Sequence, residues 1–283
     1  MNSFDTPLAR LLELPPGRHH AASKGSGVWV MVGRVLPKEF RWSSVPPAAS
    51  LSLVFGEGGC DIEHQGGQCS LGRGEWMWID SGHAHRGVGR AGSDFLTVFV
   101  PDPAIEAAGL DLAPIGARVQ PAPDDLQVTL QALTVLLLEG DGDQDEADSH
   151  AQVALDALLE HVGDHFEPAE SSVKTDAALL SAKRMLDEAF QQDISIAAIA
   201  DAVGLRGPSL SRGFVATWGV TPVHYRKQLK LRAATQLLVA GTSVSEAAAA
   251  CGFADTAHLS RSFQFQYGIA PSAWQRRLGA KSG

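Results

Sequence analysis

Cysteine is scarce in this 283-residue chain: Cys60, Cys69 and Cys251 are odd in number and scattered. That excludes a disulfide framework and points to a reducing compartment. Long apolar runs are absent too; none approaches the roughly 18 residues of a membrane span. The first residues, MNSFDTPLARLLELPPG, lack a basic start followed by an apolar stretch, so no secretory signal is expected and the cytoplasm is the expected location. Positive charge is also short, with 23 Lys+Arg against 32 Asp+Glu, a net of −9. Taken whole, that balance argues against a nucleic-acid partner. Divided, it does not. Residues 1–170 carry 10 Lys+Arg against 25 Asp+Glu, a net of −15, whereas residues 171–283 carry 13 against 7, a net of +6. A basic C-terminal part can attract phosphates while the acidic part stays clear of the duplex.

The length predicts two domains, and 45% apolar content suffices for two cores. Residues 1–105 read as β-rich. Val28–Leu36, Ser50–Phe55, Glu75–Ile79 and Phe95–Val100 are short aliphatic, β-branched or aromatic stretches separated by Gly clusters, as in a sandwich or small barrel. Over 106–165 the period becomes helical. Leu126, Leu130, Leu133 and Leu137 make one stripe; Leu155, Leu158, Leu159 and Val162 make another, across an acidic break at 140–149. Such a hairpin either covers the barrel or leaves a stripe for a dimer seam. Residues 166–175 read as a linker, and 176–283 as all-helical.

That last segment contains one pattern twice. The first copy is SIAAIADAVGLRGPSLSRGFVATWGVTPVHY from Ser195; the second is SVSEAAAACGFADTAHLSRSFQFQYGIAPSAW from Ser243. Gly204 answers Gly252 at a spacing of 48, and Leu210, Ser211, Arg212, Phe214, Gly219 and Pro222 answer their counterparts at 49. The repeat implies two similar units side by side. Each reads as helix, Gly turn, helix, over 196–217 and 244–266. Ile196, Ile199, Ala200 and Val203 form a buried face, Gly204 permits the left-handed exit, and Leu210, Phe214 and Trp218 point inward. In the second unit Val244, Ala247, Ala248 and Cys251, then Leu259, Phe263 and Tyr267, take those roles. Pro222–Ala240 reads as one helix of roughly 28 Å, suited to holding two readers about one DNA turn apart.

The segments LSRGF…WGVTPVHYRKQLKLRAATQLL and SVSEAAAACGFADTAHLSRSFQFQYGIAPSAW resemble the AraC/XylS family of bacterial transcription regulators, over roughly 176–278. The resemblance implies a seven-helix DNA-binding domain whose third and sixth helices enter adjacent major grooves. Carried onto this chain, the base-facing positions fall on Pro208, Ser211 and Arg212, and on Thr256, Ala257 and Arg261; Ser209, His258 and Ser260 complete the outward set. An Arg can bond guanine bidentately, Ser and Thr can contact several bases, and Ala257 can meet a thymine methyl. The alternative is that each Arg touches only phosphate or an acidic neighbour. Many relatives are basic after the buried Phe, where this chain has Val215-Ala216-Thr217 and Gln264-Phe265-Gln266. Modest monomer affinity, helped by a partner or a second site, is the expectation. Because the two joints differ, so is an asymmetric site rather than a palindrome.

Residues 74–85, GEWMWIDSGHAH, are similar to the second motif of the cupin barrels, with Gly74, Gly82 and His85 in its glycine, glycine and metal-histidine places and Asp80 where Pro is usual. The first cupin motif would supply two His and a Glu, but Phe40-Arg41-Trp42 stands near that place and His64 is isolated, so no metal, cofactor or catalytic residue is expected. His83 and His85 alternate on an expected strand and would point to one side. Trp29, Phe40, Trp42, Trp76 and Trp78 fill either a core or the mouth of a ligand site. In the family such a barrel is usually sensory. Phe40, Trp42, Trp76, Trp78, His83 and His85 are the candidate ligand contacts. Arg41, Arg86 and His85 can receive a carboxylate, and Arg18-His19-His20 suggests a mobile arm. The fold expected is an all-β cupin-like barrel with a helical hairpin, then an all-α domain with two helix-turn-helix units. The function expected is a ligand-responsive, dimeric transcription regulator that is not an enzyme. Its expected partners are duplex DNA, a small effector, RNA polymerase and a second copy, with no membrane. A regulator whose barrel only dimerises or grips a protein is the nearer alternative; a metal-dependent cupin enzyme with a DNA-binding tail is the more distant one.

Overall fold

The computed structural model describes residues 6–23, 27–46, 48–64, 67–108, 116–139, 144–165 and 176–279. The expected linker, 166–175, and positions 140–143 of the acidic break lie outside them. The described chain has a sheet-rich N-terminal domain and a helical C-terminal domain.

After helix α1 (Pro7–Glu13), ten strands form two sheets: β1 (Gly17–Ala22), β2 (Trp29–Arg34), β3 (Phe40–Ser44), β4 (Ala49–Val54), β5 (Cys60–His64), β6 (Gly67–Leu71), β7 (Glu75–Ile79), β8 (His85–Gly89), β9 (Phe95–Val100) and β10 (Ala117–Pro121), with α2 (Asp102–Ala107) before the last. One sheet runs β1-β2-β9-β4-β7-β10 and the other β3-β8-β5-β6. Arg18-His19-His20, expected as a mobile arm, is instead strand: Arg18 pairs Gly33 and His20 pairs Met31. Backbone pairing, rather than side-chain apolarity, fixes this polar segment. β10 lies past residue 105 and pairs β7 from Ala117↔Ile79 to Pro121↔Glu75, so chain beyond that point belongs to the sheet.

The six-stranded sheet is covered on both faces. Leu51, Leu53, Trp76, Trp78, Leu96 and Val98 pack with the inner stripes of α3 (Asp124–Glu139) and α4 (Gln144–His165) in one apolar cluster. Leu126, Leu130 and Leu133 are buried there, as are Leu155, Leu158, Leu159 and Val162. Both stripes therefore pack against the sheet, with Leu137 half-buried beside them. α4 begins at Gln144, so the second half of the expected acidic break is helix.

Seven helices follow: α5 (Ala177–Ala189), α6 (Ile196–Ala202), α7 (Gly207–Trp218), α8 (Pro222–Val239), α9 (Val244–Ala250), α10 (Thr256–Tyr267) and α11 (Pro271–Gly279). They form two cores. Ile199, Ala200, Leu210, Phe214 and Trp218 centre the first; Ala247, Ala248, Cys251, Leu259, Phe263 and Trp274 centre the second. Gly204 and Gly252 leave α6 and α9 at φ +72° and +70°, the left-handed region open to glycine without strain. α8 serves both cores, with Leu229 in one and Leu231, Ala234 and Leu238 in the other. The two sheets are not joined into a closed barrel, and each core also takes residues of the sheet domain, Val45 and Ala84 in the first and Trp29 and Ala48 in the second, so the domains share apolar contacts.

Candidate nucleic-acid interface and the barrel cavity

The two reader helices start differently. α7 has Pro208 in its first turn and no side-chain cap at Arg206; the missing proline N–H costs nothing there. α10 is capped by Asp255, whose Oδ1 accepts from the His258 N–H at 2.6 Å. Buried Leu210, Phe214 and Trp218 fix the rotation of α7, and Leu259 and Phe263 that of α10. Pro208 and Arg212 are then exposed, with Ser209 and Ser211 half-buried; Thr256, Ala257, His258 and Arg261 are exposed, with Ser260 half-buried. The His258 ring stands edge-on to Phe253, centroids 5.3 Å apart, beside the joint. Among the described residues neither Arg212 nor Arg261 has a carboxylate partner, which removes the acidic neighbour as their occupation. Next along α10, Phe265 is 76% exposed.

A cavity of about 120 Å³ lies between the two sheets. The larger sheet gives it the alternate residues of each strand: Ser50, Ser52 and Val54; Met77 and Ile79; Phe95, Thr97 and Phe99. Phe40, Trp42 and His85 line it from the other sheet. Register explains the β3 rings. Phe40 pairs Gly89 and Trp42 pairs Gly87, and a Cβ at either glycine would lie 2.2 Å from the facing ring. Trp76 and Trp78, expected at the same mouth, face the opposite way into the helix-covered core, because strand alternation sends Met77 and Ile79 to the cavity.

His83 is not among the cavity-lining residues either. The strand begins at His85, so the two histidines do not share one face of it. His83 Nε2 meets His64 Nδ1 at 3.4 Å, giving a partner to the histidine that seemed isolated. His85 Nδ1 donates to the His83 carbonyl at 3.1 Å, leaving Nε2 as an acceptor. Burial pushes His85 down to about 4 and His83 down to about 3, with the neighbouring histidines adding to the effect on His83. Both rings are neutral at pH 7. Among the described residues no group of three or more His, Cys, Asp or Glu side chains is placed to hold a metal. Arg41 and Arg86, the other candidate anion receptors, pair with Glu39 and Glu63 on the exposed face of the smaller sheet.

The feature that sequence reasoning missed is the cavity's far wall. Gln266 and Tyr267, in the last turn of α10, complete it. Polar contacts hold this end of the helical domain to the sheet domain. Gln266 Nε2 donates to Ser44 Oγ at 3.1 Å, and Gln228 Nε2 to the Ser43 carbonyl at 3.3 Å. The His224 ring also donates to that carbonyl at 3.3 Å. Farther along α8, Arg232 bonds Asp102 at 2.9 Å. Nothing in the repeat signals these contacts, since their partners lie some 130 to 220 residues away in sequence.

Residues 199–277 match the model of a helix-turn-helix domain. The chain is 36% identical over 103 residues to the HTH-type transcriptional activator RhaS of Escherichia fergusonii, a match covering 36% of this chain and 37% of that protein. The chain thus spans little more than a third of the length of that curated relative. Its fold is similar to that of apo ToxT from Vibrio cholerae strain SCE256, with a TM-score of 0.53 and 11% identity over 91% of this chain and 99% of the other. Unsaturated fatty acid bound wild-type ToxT gives 0.50 and 10%, over 96% and 99%. At such identity these likenesses concern the fold.

Proposed function

We propose that this chain, which by its tandem helix-turn-helix domain belongs to the AraC/XylS family of transcription regulators, reads two adjacent major grooves and tunes that reading through the barrel cavity. α7 and α10 are the readers. Arg212 and Arg261 contact base edges; Ser209, Ser211, Thr256, Ala257, His258 and Ser260 surround them, with Pro208 starting the first. The barrel takes a small effector. One observation carries this reading: Gln266 and Tyr267 are at once part of the second reader and part of the cavity wall. An occupant that prefers one placement of α10 over another must, by linkage, alter DNA affinity, and DNA must alter the occupant's affinity by the same factor. The fatty acid named for the ToxT structure shows that a similar fold holds a small molecule in that protein, and the same use is proposed here.

The test selects a binding site from random duplexes and measures affinity for it and for single-base variants. Arg212→Ala and Arg261→Ala should each cost about 1–3 kcal/mol, concentrated at one base position of the corresponding half. Equal losses on every sequence would demote that Arg to a phosphate contact. A metabolite screen that changes neither melting nor DNA affinity would favour the barrel as a docking module only.

A further inference from the structure

Among the described residues the cavity has one cation in its wall, Arg18, and no counter-charge. Among those residues the lining is mostly aromatic and aliphatic, with a few hydroxyls, and contains neither Asp nor Glu. His85 is neutral, as shown above. Arg18, from β1, is half-buried, and among the described residues its side chain forms no ion pair or hydrogen bond. Its guanidinium lies over the Phe40 ring, 5.4 Å from the centroid. Its stem and head also reach the end of α10: a Cβ on Gly268 would lie 3.0 Å from both Arg18 Cδ and Nη1. Burial alone lowers its pKa, with no nearby charge acting on it. The ring face and the negative end of the α10 dipole supply only partial compensation. A desolvated guanidinium in such a place is most favourable when a carboxylate answers it.

Volume bounds the rest of the molecule. A dry apolar cavity of about 150 Å³ holds one benzene ring. Here about 120 Å³ is available, with Phe40, Trp42, Met77 and Phe95 around it. That admits a single small ring or a chain of about six carbons. A long acyl chain does not fit without opening the wall that Gln266 and Tyr267 close.

We propose that the effector is a small organic monoanion, one ring or a short chain bearing one carboxylate, with Arg18 as its anion receptor where β1 meets the end of α10. The proposal rests on the cavity being an effector site at all, and the experiment separates the two. Calorimetric titration of the full chain uses benzoate and hexanoate, their uncharged counterparts benzyl alcohol and 1-hexanol, and hexadecanoate as the long-chain probe. The acids should bind at least tenfold more tightly than the alcohols, and hexadecanoate more weakly than hexanoate. R18M and R18Q, each checked for an unchanged melting profile, should lose at least tenfold for the acids and leave the alcohols as they were. Ser52→Leu, which fills the cavity, should abolish both classes. Acids and alcohols binding alike, or acids unaffected by both Arg18 variants, would overturn the anion receptor while leaving an effector site standing. Tighter hexadecanoate binding would overturn the size class. No binding of any probe, or binding indifferent to S52L, would overturn the proposal and the cavity reading together.

Discussion

Gly204 and Gly252 hold the same place in the two halves of the repeat, with φ +72° and +70°, yet substituting each by Ala should have unequal consequences. A side chain in the left-handed region costs roughly 1–2 kcal/mol at either position, less what alanine returns by stiffening the unfolded chain, about 0.4–1 kcal/mol. At Gly204 nothing lies within 4 Å of the added Cβ, so the balance of those effects, about 1 kcal/mol, is the whole expectation. At Gly252 the Cβ would stand 2.5 Å from the Gln191 carbonyl oxygen, which is backbone and cannot rotate away, and 3.1 Å from Lys230 Nζ, which can. Relieving that overlap means moving the turn between α5 and α6 or the start of α10, and overpacking of this kind costs typically 1–3 kcal/mol. Lys230 Nζ also donates to the Gly252 carbonyl, which resists the shift. G252A should therefore destabilise by about 2–4 kcal/mol. In a helical domain of this size each kcal/mol moves the midpoint by about 4–8 °C. Thermal unfolding of the two full-length variants, followed by far-UV circular dichroism, reads the difference directly. Midpoints within about 3 °C of each other would refute the reasoning, because the strain is common to both and only the contact differs.

Two other perturbations bear on the cavity and on the readers. His85 and His83 have folded pKa values pushed down to about 4 and about 3, below the unfolded value near 6.5. Between these limits the unfolded chain binds more protons than the folded one, so stability is full above about pH 6.5 and falls as pH drops towards 4. By pH 5 His85 alone removes about 2 kcal/mol, and H85Q should flatten the midpoint's pH dependence between 7 and 5; an unchanged slope would show that the ring is not held neutral. Phe265→Lys should give α10 a phosphate contact in place of an exposed ring, raising DNA affinity on all sequences and steepening the salt dependence by about 0.9 in log–log slope. Anisotropy titrations at several salt concentrations measure this, and an unchanged slope would place position 265 away from the backbone.

The repeat was legible in sequence because its spacing encodes geometry twice. Gly252, Leu259 and Phe263 stand where Gly204, Leu210 and Phe214 predict them, and all four hydrophobics are fully buried. β7 and β9 were legible as unbroken apolar runs. β1, β5, β6 and β10 were not: GRHHAA, CDIEH, GQCSL and ARVQP are polar or small along much of their length, and pairing rather than an apolar pattern defines them. The aromatic candidates divided for a related reason. β7 reads Glu-Trp-Met-Trp-Ile, apolar on both faces, since the helices cover one side of its sheet and the cavity wall is the other. Composition cannot tell those faces apart, whereas Phe40 and Trp42 are fixed by the glycines opposite them. In sequence Arg18 reads only as part of a mobile arm. It is one arginine in a polar strand, and its importance comes only from β1 meeting the end of α10.

The asymmetry of the readers extends to how each is held. α10 is a 12-residue rod, about 18 Å long, with Thr256, Ala257 and Arg261 towards its start and Gln266 and Tyr267 at its end. A rigid helix transmits a displacement of one end to the other, so an occupant pressing on Tyr267 would move Arg261. α7 is placed otherwise. Its last turn ends in Trp218, buried within its own unit, and no α7 residue lines the cavity. The first unit meets the barrel through Val45 and Ala84, outside the cavity wall. On the proposed function an effector would act first on the second reader, and α8, whose His224 and Gln228 share the Ser43 carbonyl and whose Arg232 holds Asp102, would link it to the first. The first helix-turn-helix would then supply standing affinity and the second the response, which would be a reason for one chain to keep two readers with unlike joints.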